Sequence, residues 1–256
     1  AAGHRLEAEG GVGSAGCHEN AGAMSMRVLS LSLATLLACS AAQAAEATRV
    51  HADNGELHYV GSVSADANRR LFALYDSLDR KPSTLVITSK GGEVASGLEL
   101  GDWLLARKLD VRVPAYCLSS CANYVFTAGA RKTVSSHAVV GFHGGVSSTE
   151  FKLDDATQAM FDALNKEQQD AFWAKFREDT RPMVEREAAF FQRIGVDRAI
   201  TTYGQASRFD HTAGNGWTYT REGFARFGVT GIEVTGGPWR PAIDGDAAVF
   251  PTLAVD

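Results

Sequence analysis

The stretch Tyr116-Cys-Leu-Ser-Ser-Cys-Ala-Asn-Tyr-Val-Phe-Thr-Ala-Gly129 decides how the rest of the chain is read. Tyr116 to Leu118 reads as the end of a strand, Ser119-Ser120 as a sharp turn, and Cys121 onward as the first turns of a helix. Gly129 stops that helix, because glycine tolerates the left-handed conformation that follows a helix C-terminus. Upstream lies a paired-glycine turn, Ser89-Lys-Gly-Gly92, and downstream a short apolar run that ends in a histidine, Val139-Val-Gly-Phe-His143. A serine at a helix start, glycines that let backbone N–H groups approach a ligand, and a histidine at a strand end are the parts of nucleophilic acyl transfer. Each alone has a plainer reading. Serines cap helices, Gly-Gly is a common turn, and a lone histidine is more often a hydrogen-bonded structural residue. It is their combination that points to catalysis.

Bulk properties narrow the surroundings. With 256 residues, 45% of them hydrophobic and 21% charged, the chain is long enough for one or two ordinary globular domains. The formal net charge of -5, without a Lys/Arg block, argues against a nucleic-acid partner, since phosphate binding needs clustered basic side chains. Residues 1–23 read as upstream, non-structural sequence, and residues 24–44 as a secretory signal peptide ending in Ala42-Gln-Ala44. Its apolar run is shorter than the roughly 20 residues that span a bilayer. A lipid anchor at Cys39, from Leu36-Leu-Ala-Cys39, is the rival reading of the same segment. A periplasmic or secreted location is therefore expected. The mature chain then keeps two cysteines, Cys117 and Cys121, which straddle the two serines. In an oxidising compartment a disulfide between them is expected, the alternative being two small buried thiols. No zinc-type ligand cluster stands near them, so neither metal nor cofactor is expected.

From residue 57 the pattern repeats short strand and helix. Strands are expected over 57–63, 84–88 and 111–116, and helices over 64–78 and 94–108. Further strands are expected within 131–142. Repeats of this length mean an α/β domain with largely parallel pairing. From about 155 to 195 apolar residues recur at helical spacing, interrupted by the polar run 165–170, so a helical arm with breaks is expected. Residues 200–216 read as a polar loop, 220–228 as a short capped helix, and 229–234 as a last strand. The tail, 237–256, is expected to pack loosely outside the 45–236 domain.

In the order Gly91-Gly92, serine turn, His143, polar loop, Phe227-Gly228, the chain resembles the Clp protease proteolytic subunit and its ClpP/crotonase superfamily, over about residues 57–234. The resemblance implies a spiral of strand–helix units with a helical arm. It also implies a serine hydrolase, an endopeptidase acting on peptide or protein substrates, assembled as a homo-oligomer. Counting back from Thr127-Ala-Gly129 at the family's spacing puts the nucleophile on Ser120, and counting forward puts the base on His143. The implied oxyanion donors are the N–H groups of Gly92 and Cys121, with Gly91 shaping the turn. The family's acid falls near Gly216, where Asp210 and Asn215 are the candidates. Lys90 and Cys121 depart from the family's usual Pro and Met. A Cys117–Cys121 bridge would pin the serine turn.

Three rivals keep the same residues in view. A Ser-Lys peptidase like the signal-peptide peptidase SppA would use Lys152 or Lys166 as base. A crotonase-type acyl-CoA enzyme would use the glycines for its oxyanion, but CoA is not expected outside the cytoplasm. A non-catalytic binding or assembly protein could keep the fold without the acid.

Overall fold

The computed structural model of the protein describes residues 47–148, 155–209, 216–242 and 250–255. The expected signal peptide over 24–44, Cys39, Lys152, Asp210, His211 and Asn215 lie outside those residues. The first elements are β1 (Arg49–Asp53) and β2 (Glu56–Val60), an antiparallel hairpin over Asn54-Gly55. Both turn residues have positive φ, 49° and 79°, the geometry that Asn-Gly selects in a two-residue hairpin. β1 lies upstream of the strand expected from residue 57, and Asn54-Gly55 is its signal in the sequence. α1 (Ala65–Ser77) follows, with Ser64 accepting the Ala67 N–H as its N-cap. β3 (Thr84–Thr88), α2 (Val94–Arg107) and β4 (Asp110–Val113) repeat the unit.

The single strand expected over 111–116 is two strands. β4 ends at Val113, because Pro114 has no N–H for a ladder, and β5 (Tyr116–Leu118) joins a different sheet. A π-helix, Cys121–Phe126, then leads to β6 (Lys132–Ser135) and β7 (Val139–Gly141). The arm is α3 (Asp155–Asp162) and α4 (Lys166–Ile194). β8 (Thr218–Tyr219), α5 (Arg221–Arg226), β9 (Ile232–Thr235) and β10 (Thr252–Leu253) complete the described chain.

The fold is mixed α/β, as expected. The main sheet has the order β1-β2-β3-β4-β6-β9 and is parallel except for the hairpin. A second row of short pairings runs beside it. Val63 bridges Gly92, Ser89 bridges Cys117, β5 pairs with β7, Phe142 bridges Trp217, and β8 pairs with β10. After a main strand the chain thus bends into this second row before its helix begins. The serine turn, the glycine pair and His143 all sit on that row.

The π-helix is the centre of the core: every residue from Cys121 to Phe126 is buried. It lies against α2 at a separation that only glycine permits. A Cβ at Gly97 would stand 2.7 Å from the Tyr124 ring, and one at Gly101 would stand 2.7 Å from the Tyr124 carbonyl. Of the arm, α4 buries only Glu187, Phe190 and Phe191. The arm is broken as expected, at residues 163–165, just where the polar run 165–170 begins. Asn165 accepts the Gln168 N–H and Gln168 reaches back to the Asn165 N–H, so this run starts α4 with a capping box. Phe161, Phe172, Trp173 and Phe176 meet edge to face at centroid separations of 5.3 to 5.6 Å and bind α3 to α4.

The described part of the tail is not loose. Trp239 Nε1 donates to the Ala138 carbonyl at 2.7 Å, β10 pairs with β8, and Leu253 is buried. Apolar anchors spaced along a Pro/Gly-rich segment hold it without regular structure. Among the described residues no helix is long and apolar enough to cross a membrane.

Lys132 on β6 is buried and donates to the Gly129 carbonyl at 2.7 Å. Burial pushes its pKa down from 10.5 to about 8, with Asp110 pulling weakly the other way. Between those values the unfolded chain binds more protons than the folded one, so this group makes stability rise with pH. Below pH 8 its full cost, about 3 kcal/mol, is present. Lys132→Met is expected to gain stability over the native protein at pH 7 and to lose most of that gain by about pH 10 and the rest by about pH 11 in urea titrations. A difference independent of pH contradicts this assignment.

Candidate active site

β5 delivers Ser119 to the junction between strand and helix with φ of 55°, in the left-handed region that non-glycine residues avoid. Ser120 already has helical angles, φ -57° and ψ -25°. The two hydroxyls therefore point to different partners. Ser119 Oγ lies 2.7 Å from His143 Nε2. Ser120 is 2% exposed and its hydroxyl donates to the Gly92 carbonyl at 3.1 Å. The expectation that Ser120 faces His143 is thus corrected: the structure brings Ser119 to the histidine, and Ser120 braces the glycine turn. The physical reason is the π-helix. Its wider turn holds one residue more than an α-helical turn. Counting back from Thr127-Ala-Gly129 at the family's spacing makes no allowance for that residue and stops one residue late.

The turn is held from several sides. Cys117 and Cys121 form a disulfide, with Cα atoms 5.2 Å apart, closing a loop around Leu118, Ser119 and Ser120. The Ser119 N–H donates to the Gly141 carbonyl at 2.9 Å, and the Leu118 N–H to the Ser89 carbonyl at 2.9 Å. Gly91 has φ of 97°, and a Cβ there would stand 2.7 Å from both the Leu118 carbonyl and Ser119 Cβ. Only glycine fits. Gly92 is exposed, unlike Gly91. Its neighbours make the bridge to Val63, through the Gly91 carbonyl and the Glu93 N–H. In such a bridge the central residue turns its own N–H and C=O to the opposite side. For Gly92 that side is the serine turn, as its bond from Ser120 shows.

His143 follows β7 and stands exposed beside the Phe142–Trp217 bridge. Gly216, near which the resemblance puts the acid, cannot bear a side chain. Its φ is 129°, and a Cβ would stand 2.7 Å from the Phe142 carbonyl and 2.5 Å from the Phe250 ring. Lys166 is not at the serine turn: it pairs with Asp170 on the solvent-facing start of α4. Among the described residues there is no group of three or more His, Cys, Asp or Glu side chains able to hold a metal ion.

Three side chains near the site escaped the sequence reading. Asn123 Nδ2 donates to the Gly144 carbonyl at 2.8 Å, tying the π-helix to the residue after His143. Tyr124 OH donates to Glu187 at 2.6 Å, and its pKa is pushed far up by burial first and by the Glu187 carboxylate second. Glu187 had a visible signal: it occupies an apolar position in the stripe Met183, Glu187, Phe190, Phe191, Ile194. No family model and no curated protein matches the chain in sequence.

Closing so small a loop, the disulfide stabilises the fold by about 2 kcal/mol on chain-entropy grounds. Because it encloses Ser119, its loss should also loosen the serine turn. Cys117→Ala/Cys121→Ala is expected to unfold at lower urea concentration and to lose the Ser119–His143 pairing. Unchanged unfolding and unchanged reactivity of the serine would contradict the clamp.

Proposed function

We propose that the protein is a serine hydrolase of the ClpP/crotonase superfamily, acting on peptide bonds, with Ser119 as nucleophile and His143 as general base. The observation that carries this reading is the 2.7 Å approach of Ser119 Oγ to His143 Nε2 in a strained strand-to-helix turn. A serine so placed is aimed outward at a helix N-terminus, where backbone N–H groups favour developing negative charge. The row of short pairings beside a parallel sheet supports the spiral of strand–helix units that the resemblance implies.

In the first step Ser119 Oγ bonds to the substrate carbonyl carbon while its proton passes to His143 Nε2. The carbonyl electron pair moves onto oxygen. With Ser119 as nucleophile, the residue after it is Ser120, so the donors are the N–H groups of Gly92 and Ser120, and Cys121 yields the role expected of it. One such donor is worth roughly 3 to 4 kcal/mol of barrier. The tetrahedral intermediate collapses, the C–N bond breaks, and the amine leaves with the proton from His143. Water then attacks the acyl-enzyme with His143 again as base, releasing the acid and restoring Ser119. Asp210 and Asn215 are the sequence candidates to orient the imidazole. The signal sequence and the disulfide together fit a periplasmic or secreted enzyme, and a homo-oligomer follows from the resemblance.

A non-catalytic assembly protein of the same fold is the second reading, since Gly216, near which the resemblance puts the acid, has no room for a side chain. Hydrolysis of a p-nitrophenyl ester, with fluorophosphonate labelling beside it, separates the two. Ser119→Ala should abolish both, His143→Ala should slow both by about 10³-fold or more, and Ser120→Ala should leave both within about tenfold. Loss with Ser120→Ala but not with Ser119→Ala would overturn the assignment, and an inert native protein would favour the second reading.

A further inference from the structure

Glu187 is a fully buried acid in a part of the fold that has no use for charge. It lies on α4, one turn before Phe190 and Phe191, which pack against the π-helix residue Tyr124. Among the described residues no lysine or arginine forms an ion pair with it. Among the described residues its partners are three donors from two other places. Tyr124 OH, on the π-helix that begins just after the serine turn, donates to Oε1 at 2.6 Å. The Val146 N–H donates to Oε1 at 3.3 Å and the Ser147 N–H to Oε2 at 3.2 Å. Residues 146 and 147 sit in a tight turn closed by the Ser148 N–H on the Gly145 carbonyl at 3.0 Å and by the Gly145 N–H on Ser148 Oγ at 2.9 Å. Two successive N–H groups on one carboxylate form an anion nest, filled here from within the chain. Gly145 makes room for it, since a Cβ there would stand 2.8 Å from Glu187 Oε1.

We infer that Glu187 is a positioning residue: its carboxylate ties the turn just after His143 to the helix that starts at the serine turn, and so sets the approach of His143 to Ser119. The inference rests on the hydrolase reading for its catalytic meaning, while its geometry stands on the contacts of Glu187 and Asn123 alone. Burying a carboxylate is costly, and a well-packed apolar residue at such a position is often as stable or more so. A stability role alone therefore does not call for glutamate. What glutamate alone offers is four lone-pair directions and no donor, matching three donors that converge from separate elements. The parallel bond from Asn123 to the Gly144 carbonyl fixes the same turn from the same helix. The His143 backbone is then held between β7 on one side and this doubly tethered turn on the other.

Glu187→Gln is the informative variant. It keeps size and one acceptor oxygen but sets an NH2 group against at least one of the three donors. The folded variant should melt within a few degrees of the native protein. Its kcat on a p-nitrophenyl ester should fall at least about tenfold with KM within about twofold, because misplacing a reacting group costs the chemical step. The 15N signals of the His143 ring should lose the signature of the hydrogen bond to Ser119, and the Val146 and Ser147 amides should exchange faster. If Glu187→Gln does not fold, Glu187→Met carries the same measurements. A folded variant with native kcat, native ring signals and native exchange overturns the inference and leaves the hydrolase reading standing. If the native protein itself is inert, the hydrolase reading fails, and the ring and exchange measurements alone decide the positioning role.

Discussion

Everything at the site depends on one residue held where its backbone resists going. Ser119 sits in the left-handed region, at a cost of order 1–3 kcal/mol for a residue with a Cβ. That conformation turns its hydroxyl away from both the strand before it and the helix after it. Its neighbours enforce it: β5 pairs with β7, the Ser119 N–H is bound to Gly141, and the Cys117–Cys121 bridge closes the turn. Gly91 fits beneath it with no space to spare. Relaxing Ser119 into helical angles would have to break one of these restraints.

The same restraint accounts for the unusual helix. A π-helical run places one more residue between the serine turn and Thr127 than an α-helix would. Its buried face, Tyr124 above all, packs on α2 through Gly97 and Gly101 and on α4 through Phe190 and Phe191. Core packing and the position of the serine are thus one problem. The helix that fills the centre of the molecule is also the helix whose first residues shape the site.

Much of this was legible in the chain. The β-branched run Thr84–Thr88, the Ser64 and Thr220 caps, the glycine pair and the strand-end His143 all read correctly in place, because each is a local signal with a local cause. The disulfide was legible from two cysteines around a turn. What the sequence did not disclose was non-local. The choice between Ser119 and Ser120 depends on a π-turn, and nothing in Cys121–Phe126 distinguishes i+5 from i+4 bonding before packing is known. Pro114 separated two strands assigned to two sheets, which no single stretch can show. Glu187 was visible as an acid in an apolar stripe, but its three donors come from residues about 40 and 63 positions away.

The most direct test of this picture is the crystal structure of the protein after reaction with a fluorophosphonate. A serine hydrolase built as described would carry the phosphorus on Ser119 Oγ, with the phosphoryl oxygen about 3 Å from both the Gly92 and Ser120 nitrogens. His143 would remain beside the Ser119 oxygen. Phosphorus on Ser120, or an unmodified serine turn with its hydroxyls as they are now, would contradict it.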